Sequence, residues 1–498
     1  MTGAPTSVIT AGRRGVLAIA ALVAIYTQGV NISLPSTAVT HIQGALSMSD
    51  DELGWLFTPY IVAGVLVMPM TPWLAGCFGR KAVFQISLVV FMLGLFLNTV
   101  VTNPIQFVLA RIVQGAASGP FLPLSMAILI EVLPPARRGR IGLAVGVSSL
   151  FGISCGPCIG GWLSEFHGWF SIFYFSFLLS GFVLLAVAFA LPEKKADQTP
   201  AFDFFGFTSF SLGMVGLQML LDRGERLEWF ASKEIWAEAI ASAVGFYMFF
   251  VHVITTKVHF FNKGLLRDWN FVLSTIMYFA VGFVLLPTLA LTSPMLEELL
   301  NYPVDTTGYI VVQRGITLVG VLVLMIYVPA WIDNRVLVFC GIILVAYSNW
   351  RMLSYSPAMD WRPVVVAVLI QGVGLAIAIP ALTKAAFVTL DQKLHSEGSM
   401  IFNLSRLYGS TIGIAVVQIF FFGNTQAMHL ALARNLTPYH ASAHLVRALA
   451  KPGLAALNEM ITGQAAVVAI IGQFKILFIS ALIVSPLALL LRKPRPAV

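Results

Sequence analysis

The chain has 498 residues, of which 58% are hydrophobic and only 10% are charged. Soluble globular proteins carry roughly 25% charged residues, so an ordinary water-soluble enzyme is excluded, and so is a disordered chain. There are only four cysteines, too few for a disulfide scaffold. The net charge is +8. In such an apolar chain, a basic excess is better explained by basic loops that set membrane topology than by a nucleic-acid partner.

Apolar stretches long enough to cross a bilayer follow one another along the whole chain. A membrane helix needs about 20 apolar residues, and fourteen such stretches are present. The sequence therefore predicts an all-α polytopic membrane protein with fourteen transmembrane helices. The predicted spans cover residues 15–37, 54–75, 82–101, 105–131, 141–163, 170–191, 204–221, 234–254, 270–292, 307–327, 336–355, 364–386, 399–421 and 467–490.

The distribution of basic residues predicts the orientation of these spans. With the N-terminus in the cytoplasm, seventeen Lys and Arg residues fall in cytoplasmic segments and seven in the opposite loops. Cytoplasmic loops carry the excess of basic residues, and an even number of spans places both termini on one side. We therefore expect both termini in the cytoplasm and read the first apolar stretch as a retained span.

The sequence repeats itself at a fixed offset of 257 residues. The matching residues pair span 4 with span 12 and span 5 with span 13, which predicts two parallel six-helix halves. This is the transporter architecture of the major facilitator superfamily. The halves are residues 1–200 and 263–498, with two inserted helices in 201–262. The pairs are Gln114 with Gln371, Gly115 with Gly372, Pro123 with Pro380, Leu150 with Leu407, Gly152 with Gly409, Gly156 with Gly413 and Pro72 with Pro329.

Span 4 carries Arg111, followed by Gln114. An arginine inside a span costs roughly 3 kcal/mol, so it usually faces the protein interior or a water-filled cavity. The run RIVQGAASGP resembles the span-4 signature of the superfamily, which implies a role for the arginine in proton coupling. The alternative is a structural arginine that donates hydrogen bonds to backbone carbonyls.

Span 5 contains small residues that recur every four positions. Such a spacing lets two helix backbones approach closely, and a proline beside that face bends the helix. The pattern resembles the antiporter signature of exporters in this superfamily and implies a pliable gate helix, while ordinary glycine packing is the alternative. The residues concerned are Gly152, Gly156, Pro157, Gly160 and Gly161.

The loop after span 2 resembles the superfamily's loop signature at Gly79, Arg80 and Lys81. The aspartate of that signature is replaced here by Gly76. The equivalent loop of the second half does carry an acid and a base, Asp333 and Arg335. We therefore expect a charge-relay latch mainly in the second half.

Several further segments narrow the resemblance. They are LDRGERLEWF from Leu221 to Phe230, the stretch Gly119–Pro123, the turn Pro134–Ala136 and the loop Met359–Asp360. In these segments the chain resembles the fourteen-span drug:proton antiporters of the superfamily. The resemblance implies proton-driven export of amphipathic small molecules across the inner membrane of a Gram-negative bacterium, without a cofactor. It also implies a periplasmic adaptor protein and an outer-membrane channel as partners.

The segment before the last span, about residues 422–466, is the longest predicted loop. Loops much longer than about 12–15 residues are usually functional or disordered. We expect this segment to lie in the periplasm and to help dock the adaptor. The alternative is a lid over the outer opening of the transporter.

The titratable groups depart from what the resemblance implies. Members of that family carry an aspartate in span 1 at a position that Tyr26 occupies here, and no Asp or Glu lies near the middle of a predicted span. A proton-coupled exporter needs a titratable group in its path. The best candidates are Asp222 and Glu131, at the ends of spans 7 and 4, and the alternative is that both are solvated helix-end carboxylates.

Three arginines lie inside predicted spans with no carboxylate at comparable depth, namely Arg111, Arg314 and Arg406. Such arginines donate hydrogen bonds to backbone carbonyls, extend to water at the membrane surface, or bind an anion. We therefore expect the substrate or proton path to include these arginines with Gln114 and Gln371. A positive excess in the cavity predicts a preference for neutral or anionic amphiphiles over permanent cations.

Two other functions remain open from the sequence. The first is a dedicated exporter of an anionic product such as a siderophore or a fatty acid. The second is a membrane-embedded enzyme, which needs a cluster such as His, Asp and Ser at one depth, and the sequence shows none. Neither a phosphate-binding loop nor a convincing set of metal ligands is present, so neither ATP-driven transport nor a metal site is predicted.

Overall fold

The computed structural model describes residues 11–134, 141–193, 202–256, 263–327, 332–356, 359–391, 394–434 and 453–492, and these form helices without a β-strand. Fourteen helices in them are long and apolar enough to cross a membrane, which confirms the predicted number. They are α1 Gly12–Thr37, α2 Thr58–Phe78, α3 Arg80–Val100, α4 Pro104–Val132, α5 Ile141–His167, α6 Ser171–Ala190, α7 Phe204–Arg223, α8 Lys233–Thr255, α9 Trp269–Glu297, α10 Val304–Leu324, α11 Asn334–Met352, α12 Arg362–Phe387, α13 Glu397–Arg434 and α14 Asn458–Leu490.

Polar residues in the short connections fix where several of these helices begin. The first backbone N–H groups of a helix have no partner inside it, and a side-chain oxygen just before the helix can accept from one of them. Asn103 accepts from the Gln106 N–H before α4 at 2.9 Å, and Asp268 accepts from the Phe271 N–H before α9 at 2.8 Å. Helix starts are therefore set locally, independently of the packing of the bundle.

The two predicted six-helix halves are present and pack their helices in the same way. In the first half α5 lies against α1, and a Cβ atom built on Gly152 would lie 2.5 Å from the Tyr26 carbonyl oxygen. In the second half α13 lies against α9, and Gly409 approaches the Phe279 carbonyl oxygen just as closely. The predicted boundaries near residues 200 and 262 lie outside the described residues and stay predictions.

The inserted helices α7 and α8 pack against each other and stand beside the bundle. Helix α7 touches α13, where the rings of Phe210 and Tyr408 are 6.2 Å apart and Gln218 Nε2 donates to the Thr411 carbonyl at 3.4 Å. Toward the first half, α7 does not close against α2 and α4 but leaves a groove between the three helices. The insertion thereby creates a surface that a twelve-helix bundle does not have.

The two halves are tightly closed against each other on one side of the membrane. We call the side that carries the N-terminal end of α1 the near face and the opposite side the far face. A Cβ atom on Gly161 of α5 would lie 2.6 Å from the Val304 carbonyl oxygen of α10, and one on Gly308 of α10 would lie 2.8 Å from the Pro157 carbonyl oxygen. Both contacts lie in the far half of the bundle, so the halves meet there backbone to backbone.

The segment that the sequence analysis treated as a long loop is largely helical where the structure describes it. Helix α13 continues to Arg434, and the helix that becomes α14 begins at Gly453. The interpretation of residues 422–434 and 453–466 as loop is therefore wrong. Loss of hydropathy marks where a chain leaves the membrane, but residues with good helix propensity, such as Ala and Leu, continue the helix into water. Residues 435–452 lie outside the described part.

Candidate transport site

Arg111 of α4 is fully buried and forms the centre of a hydrogen-bond network in the first half. Its Nε and Nη2 atoms donate to the Leu56 carbonyl at 3.1 and 2.9 Å, and Nη2 also donates to the Asn31 carbonyl at 3.1 Å. Nη1 donates to Gln114 Oε1 at 3.0 Å, and the guanidinium carbon lies 4.6 Å from the Tyr60 ring centroid. Every nitrogen of this guanidinium group therefore has a partner, as expected of a structural arginine.

Gln114 extends the same network across the first half. Its Nε2 atom donates to Asn31 Oδ1 at 2.8 Å, and Asn31 Nδ2 donates to Ser176 Oγ of α6 at 3.0 Å. Asn31, Gln114 and Ser176 are all fully buried. Because buried polar groups are costly when unpaired and satisfied networks rigidify a core, this chain of bonds joins α1, α4 and α6 into one unit.

The second half contains an arginine–glutamine pair with a different geometry. Arg314 Nη1 donates to Gln371 Oε1 at 3.2 Å and to the Leu285 carbonyl at 3.3 Å. Its Nε and Nη2 atoms are buried and have no hydrogen-bond partner among the described residues. A buried donor left without a partner costs about 1–3 kcal/mol, and more for a charged group. Arg314 thus holds binding capacity that this conformation does not use.

Arg406 of α13 is in a similar situation. The side chain is 5% exposed, and its Nε and Nη1 atoms have no partner among the described residues. Its guanidinium carbon lies 5.9 Å from the ring centroid of Tyr278 on α9. The expectation that these arginines lack carboxylate partners holds in the described part of the chain, where Arg314 and Arg406 form no ion pair.

Helix α5 contains Pro157 in its interior, and hydroxyl groups of α1 donate to backbone carbonyls beside this proline. Pro157 has no N–H, so the carbonyl of Ile153, four residues earlier, cannot be satisfied inside the helix. Ser33 Oγ donates to that carbonyl at 2.6 Å, and Thr37 Oγ1 donates to the Pro157 carbonyl at 2.7 Å. The hydroxyl groups of α1 therefore satisfy carbonyls around Pro157, where the sequence predicts a bend.

Glycines beside Pro157 bring α5 into close contact with both halves. Gly156 and Gly160 face α1, where a Cβ atom on Gly160 would collide with the Leu34 carbonyl oxygen. Gly161 faces α10 of the other half instead. One helix thus contacts its own half through Gly156 and Gly160 and the opposite half through Gly161, and its role as a gate helix stays a prediction.

Asp222 lies on the groove between α2, α4 and α7. The groove has a volume of about 600 Å³, and apolar side chains form most of its wall. Gln218 Nε2 donates to Asp222 Oδ1 at 2.9 Å, and no ion pair to Asp222 is found among the described residues. The carboxylate is half-buried at the far end of α7. Asp222 is therefore a titratable group on a groove of the membrane domain, and its predicted role in the proton path stays a prediction.

The second candidate for the proton path, Glu131, has a different environment. Arg80 Nη2 donates to Glu131 Oε2 at 2.8 Å at the near face. The loop signature of the first half therefore does form an ion pair, with an acid at the end of α4 instead of the missing aspartate. The expectation that a charge-relay latch acts mainly in the second half stays a prediction. In the second half Asp333 accepts from the Arg335 N–H at 3.1 Å and caps α11.

A second large cavity lies at the far face between α9, α13 and α14. Its volume is about 610 Å³, and its wall is more polar than that of the groove. Gln418 and Thr425 line it from α13, and Glu459 lines it from α14. The helical extensions beyond the membrane therefore border an amphipathic pocket.

Comparison with known proteins places this arrangement in a family. The family model described as Major Facilitator Superfamily matches residues 17–414. The chain belongs to the major facilitator superfamily. The transporter is 25% identical over 438 residues to the multidrug export protein EmrB of Haemophilus influenzae, which covers 87% of this chain and 85% of that protein. It is 28% identical over 453 residues to the fatty acid resistance protein FarB of Neisseria gonorrhoeae, which covers 89% of each chain.

Solved structures support the same fold. A bacterial homolog of the human lysosomal transporter Spinster, in an inward-facing and occupied conformation, superposes with a TM-score of 0.64 at 12% identity. The match covers 97% of this transporter and 99% of that chain. At this level of identity the likeness concerns the fold alone.

Sequence reasoning missed several polar residues of this transporter that the fold brings to the candidate site. Gln218 precedes Asp222 by four residues, a helical spacing that places both on one face, and could have been recognised from that spacing. Ser33 and Thr37 carry no comparable signal, because their partners in α5 are 120 residues away in the chain. Thr288, which accepts from Gln371 Nε2 at 3.3 Å, was missed for the same reason.

Proposed function

We propose that this membrane transporter exports amphipathic small molecules across the bacterial inner membrane, driven by protons, through alternating access of its two halves. The observation that carries the proposal is Asp222, a carboxylate without a cation partner among the described residues, on a cavity inside the membrane domain. Such a group binds and releases a proton as its surroundings change. The similarity to multidrug export proteins along most of the chain supports the same function.

The buried arginine nitrogens that lack a hydrogen-bond partner favour an anionic substrate. Arg314 lies on a helix that meets the other half, since its neighbour Gly315 packs against Ser154 of α5. An anionic group that reaches Arg314 when the halves separate would satisfy the two donors that the closed state leaves unpaired. The similarity to a fatty acid resistance protein agrees with an anionic amphiphile. A dedicated exporter of such an anion is the second candidate function.

Replacing Arg314 by Gln should weaken transport of an anionic amphiphile more than that of a neutral one. A charge-assisted hydrogen bond contributes about 1.5–3 kcal/mol, so we expect the KM for the anion to rise about tenfold or more. The measurement is uptake into inside-out proteoliposomes under an imposed pH gradient, with a long-chain fatty acid and a neutral dye compared in parallel. Export driven by protons predicts that uptake of either substrate stops when the gradient is collapsed.

Two variants serve as controls for this experiment. Arg351→Gln makes the same exchange at an exposed arginine and should change neither KM. Arg314→Lys keeps the charge and should retain most of the preference for the anion. Equal effects of Arg314→Gln on both substrates would contradict the anion site without affecting the proposal of proton-driven export.

We further propose that the near face is cytoplasmic and that the far face meets a periplasmic adaptor protein. The excess of basic residues on the near side supports this orientation. The extension of α13 to Arg434 and the helical start at Gly453 carry the chain beyond the membrane on the far side. These extensions offer the adaptor a rigid surface that short loops would not provide.

Shortening the segment between these extensions, residues 435–452, should abolish co-purification of the adaptor while the transporter still inserts. We expect the loss because the segment lies between the two helical extensions. Insertion and orientation are checked together by a single cysteine at Glu228, in a background without the native cysteines, which an impermeant maleimide should label on intact spheroplasts. Adaptor capture at the wild-type level by the shortened chain would refute the docking role.

A further inference from the structure

The groove that contains Asp222 opens sideways into the bilayer. Ile105 and Leu109 of α4 and Met219 of α7 line it and are 69%, 57% and 42% exposed. Apolar side chains exposed at the flank of a membrane domain face lipid tails, so the apolar length of this groove is open to the membrane. Its occupant can therefore come from the membrane.

The groove has the length and volume of a lipid site in one leaflet. On α7 its wall runs from Val215 to Arg223, and on α2 from Thr58 to Leu66. Eight residue steps at 1.5 Å give about 12 Å, most of the roughly 15 Å depth of one leaflet's hydrocarbon. The volume of about 600 Å³ lies within the range of small-molecule sites. An acyl chain therefore fits along the groove.

The charges at the far end of the groove select the headgroup. Arg223 is paired with Glu234 at 2.6 Å and with Glu238 at 2.9 Å, and Arg226 is paired with Glu52 at 2.8 Å. Both guanidinium groups nearest the groove are thus neutralised by carboxylates. Asp222 remains as an acid whose described partner is the neutral amide of Gln218.

We propose that this groove binds a membrane phospholipid with a primary-amine headgroup, such as phosphatidylethanolamine, with its ammonium group at Asp222. The ammonium offers three N–H donors to the carboxylate, whereas the trimethylated head of phosphatidylcholine offers none and is bulkier. Trp55 at the same end is an aromatic side chain of the kind that lies at the headgroup level. This site is separate from the arginines and does not depend on the substrate proposed above, but it shares Asp222 with the proposed proton path.

Native mass spectrometry of the purified transporter, incubated with equal amounts of phosphatidylethanolamine, phosphatidylcholine and phosphatidylglycerol of the same acyl chains, tests the proposal. We expect the wild type to retain phosphatidylethanolamine several-fold more than either of the others. Asp222→Asn keeps the size of the side chain and its acceptor oxygen, and should remove this preference. Val62→Trp should fill the groove and lower retention of all three lipids.

The matched control is Glu228→Gln, which removes an exposed acid from the connection after α7 and should leave the preference unchanged. Equal retention of phosphatidylethanolamine and phosphatidylcholine by the wild type would overturn the proposal. So would a preference that survives Asp222→Asn, preferential retention of phosphatidylglycerol, or a groove occupied by a second copy of the chain, seen as a dimer that Val62→Trp dissociates. Lipid retention and proton-coupled uptake are measured separately, in mass spectrometry and in proteoliposomes, so failure of the lipid site can be told from failure of proton coupling at Asp222.

Discussion

Replacing Asp222 by Asn should abolish proton-coupled export while leaving the fold intact. Asparagine keeps an oxygen that can accept from Gln218, whose Nε2 atom lies 2.9 Å from Asp222 Oδ1, so the contact between the two residues survives. The amide cannot bind or release a proton, so an imposed pH gradient no longer drives uptake. We expect a loss of more than about tenfold, equivalent to about 1.4 kcal/mol in the barrier. Substrate-induced proton flux in proteoliposomes is the measurement.

Substrate exchange in the absence of a gradient separates coupling from binding. The Asp222→Asn transporter should still exchange labelled for unlabelled substrate, because the two halves and the buried arginines are unaltered. Glu131→Gln provides the comparison, since that acid is held by Arg80 at 2.8 Å and should affect coupling less. If coupled uptake persists in Asp222→Asn but is lost in Glu131→Gln, the proton is carried by Glu131 at the near face and not by Asp222.

Replacing Gly152 by Val should disrupt the first half of the transporter. A Cβ atom at this position would lie 2.5 Å from the Tyr26 carbonyl oxygen and 3.0 Å from the Val30 nitrogen. Both are backbone atoms that cannot rotate away, so α5 must move off α1. Overpacking of this kind costs about 1–3 kcal/mol, and the displacement also separates Ser33 from the Ile153 carbonyl that it satisfies at 2.6 Å. We expect a lowered melting temperature in detergent and loss of export.

Gly146→Val on the same helix is the matched control, because a Cβ atom at Gly146 has nothing within 4 Å. The repeat provides a second test in the other half. Gly409→Val should act like Gly152→Val, since Gly409 approaches the Phe279 carbonyl, whereas Gly423→Val on the same helix should be tolerated because its nearest neighbour is 3.8 Å away. Similar melting temperatures for Gly152→Val and Gly146→Val would show that the close packing of α5 against α1 contributes little.

Local sequence properties determined most of the fold. Hydropathy placed fourteen spans, and the internal offset paired Gly152 with Gly409, which the structure places at equivalent helix contacts. These inferences succeed because the length and apolarity of a span are properties of one helix. The small residues recur at equivalent helix contacts because the two halves repeat. The end of α13 was misjudged, since hydropathy reports the edge of the membrane, while α13 continues to Arg434.

The sequence identified the candidate site residues but not which of their hydrogen-bonding groups have partners. Arg111 and Arg314 look alike in the sequence, each an arginine inside a span, yet Arg111 has a partner for every nitrogen and Arg314 leaves Nε and Nη2 without one among the described residues. The difference depends on carbonyls contributed by other helices. The groove beside Asp222 is likewise formed by three helices, α2, α4 and α7, so the sequence around Asp222 could not predict it.

The sequence by itself therefore determined the membrane class, the number of helices, the two-half repeat and the residues with unusual chemistry in apolar surroundings. Tertiary structure alone decided which buried groups are satisfied, that Arg80 pairs with Glu131, and that Asp222 borders a groove between α2, α4 and α7. The physical reason is that apolarity and helix formation are local properties of the chain. Hydrogen bonding and charge compensation in the membrane depend on partners that the chain brings together from far apart in sequence.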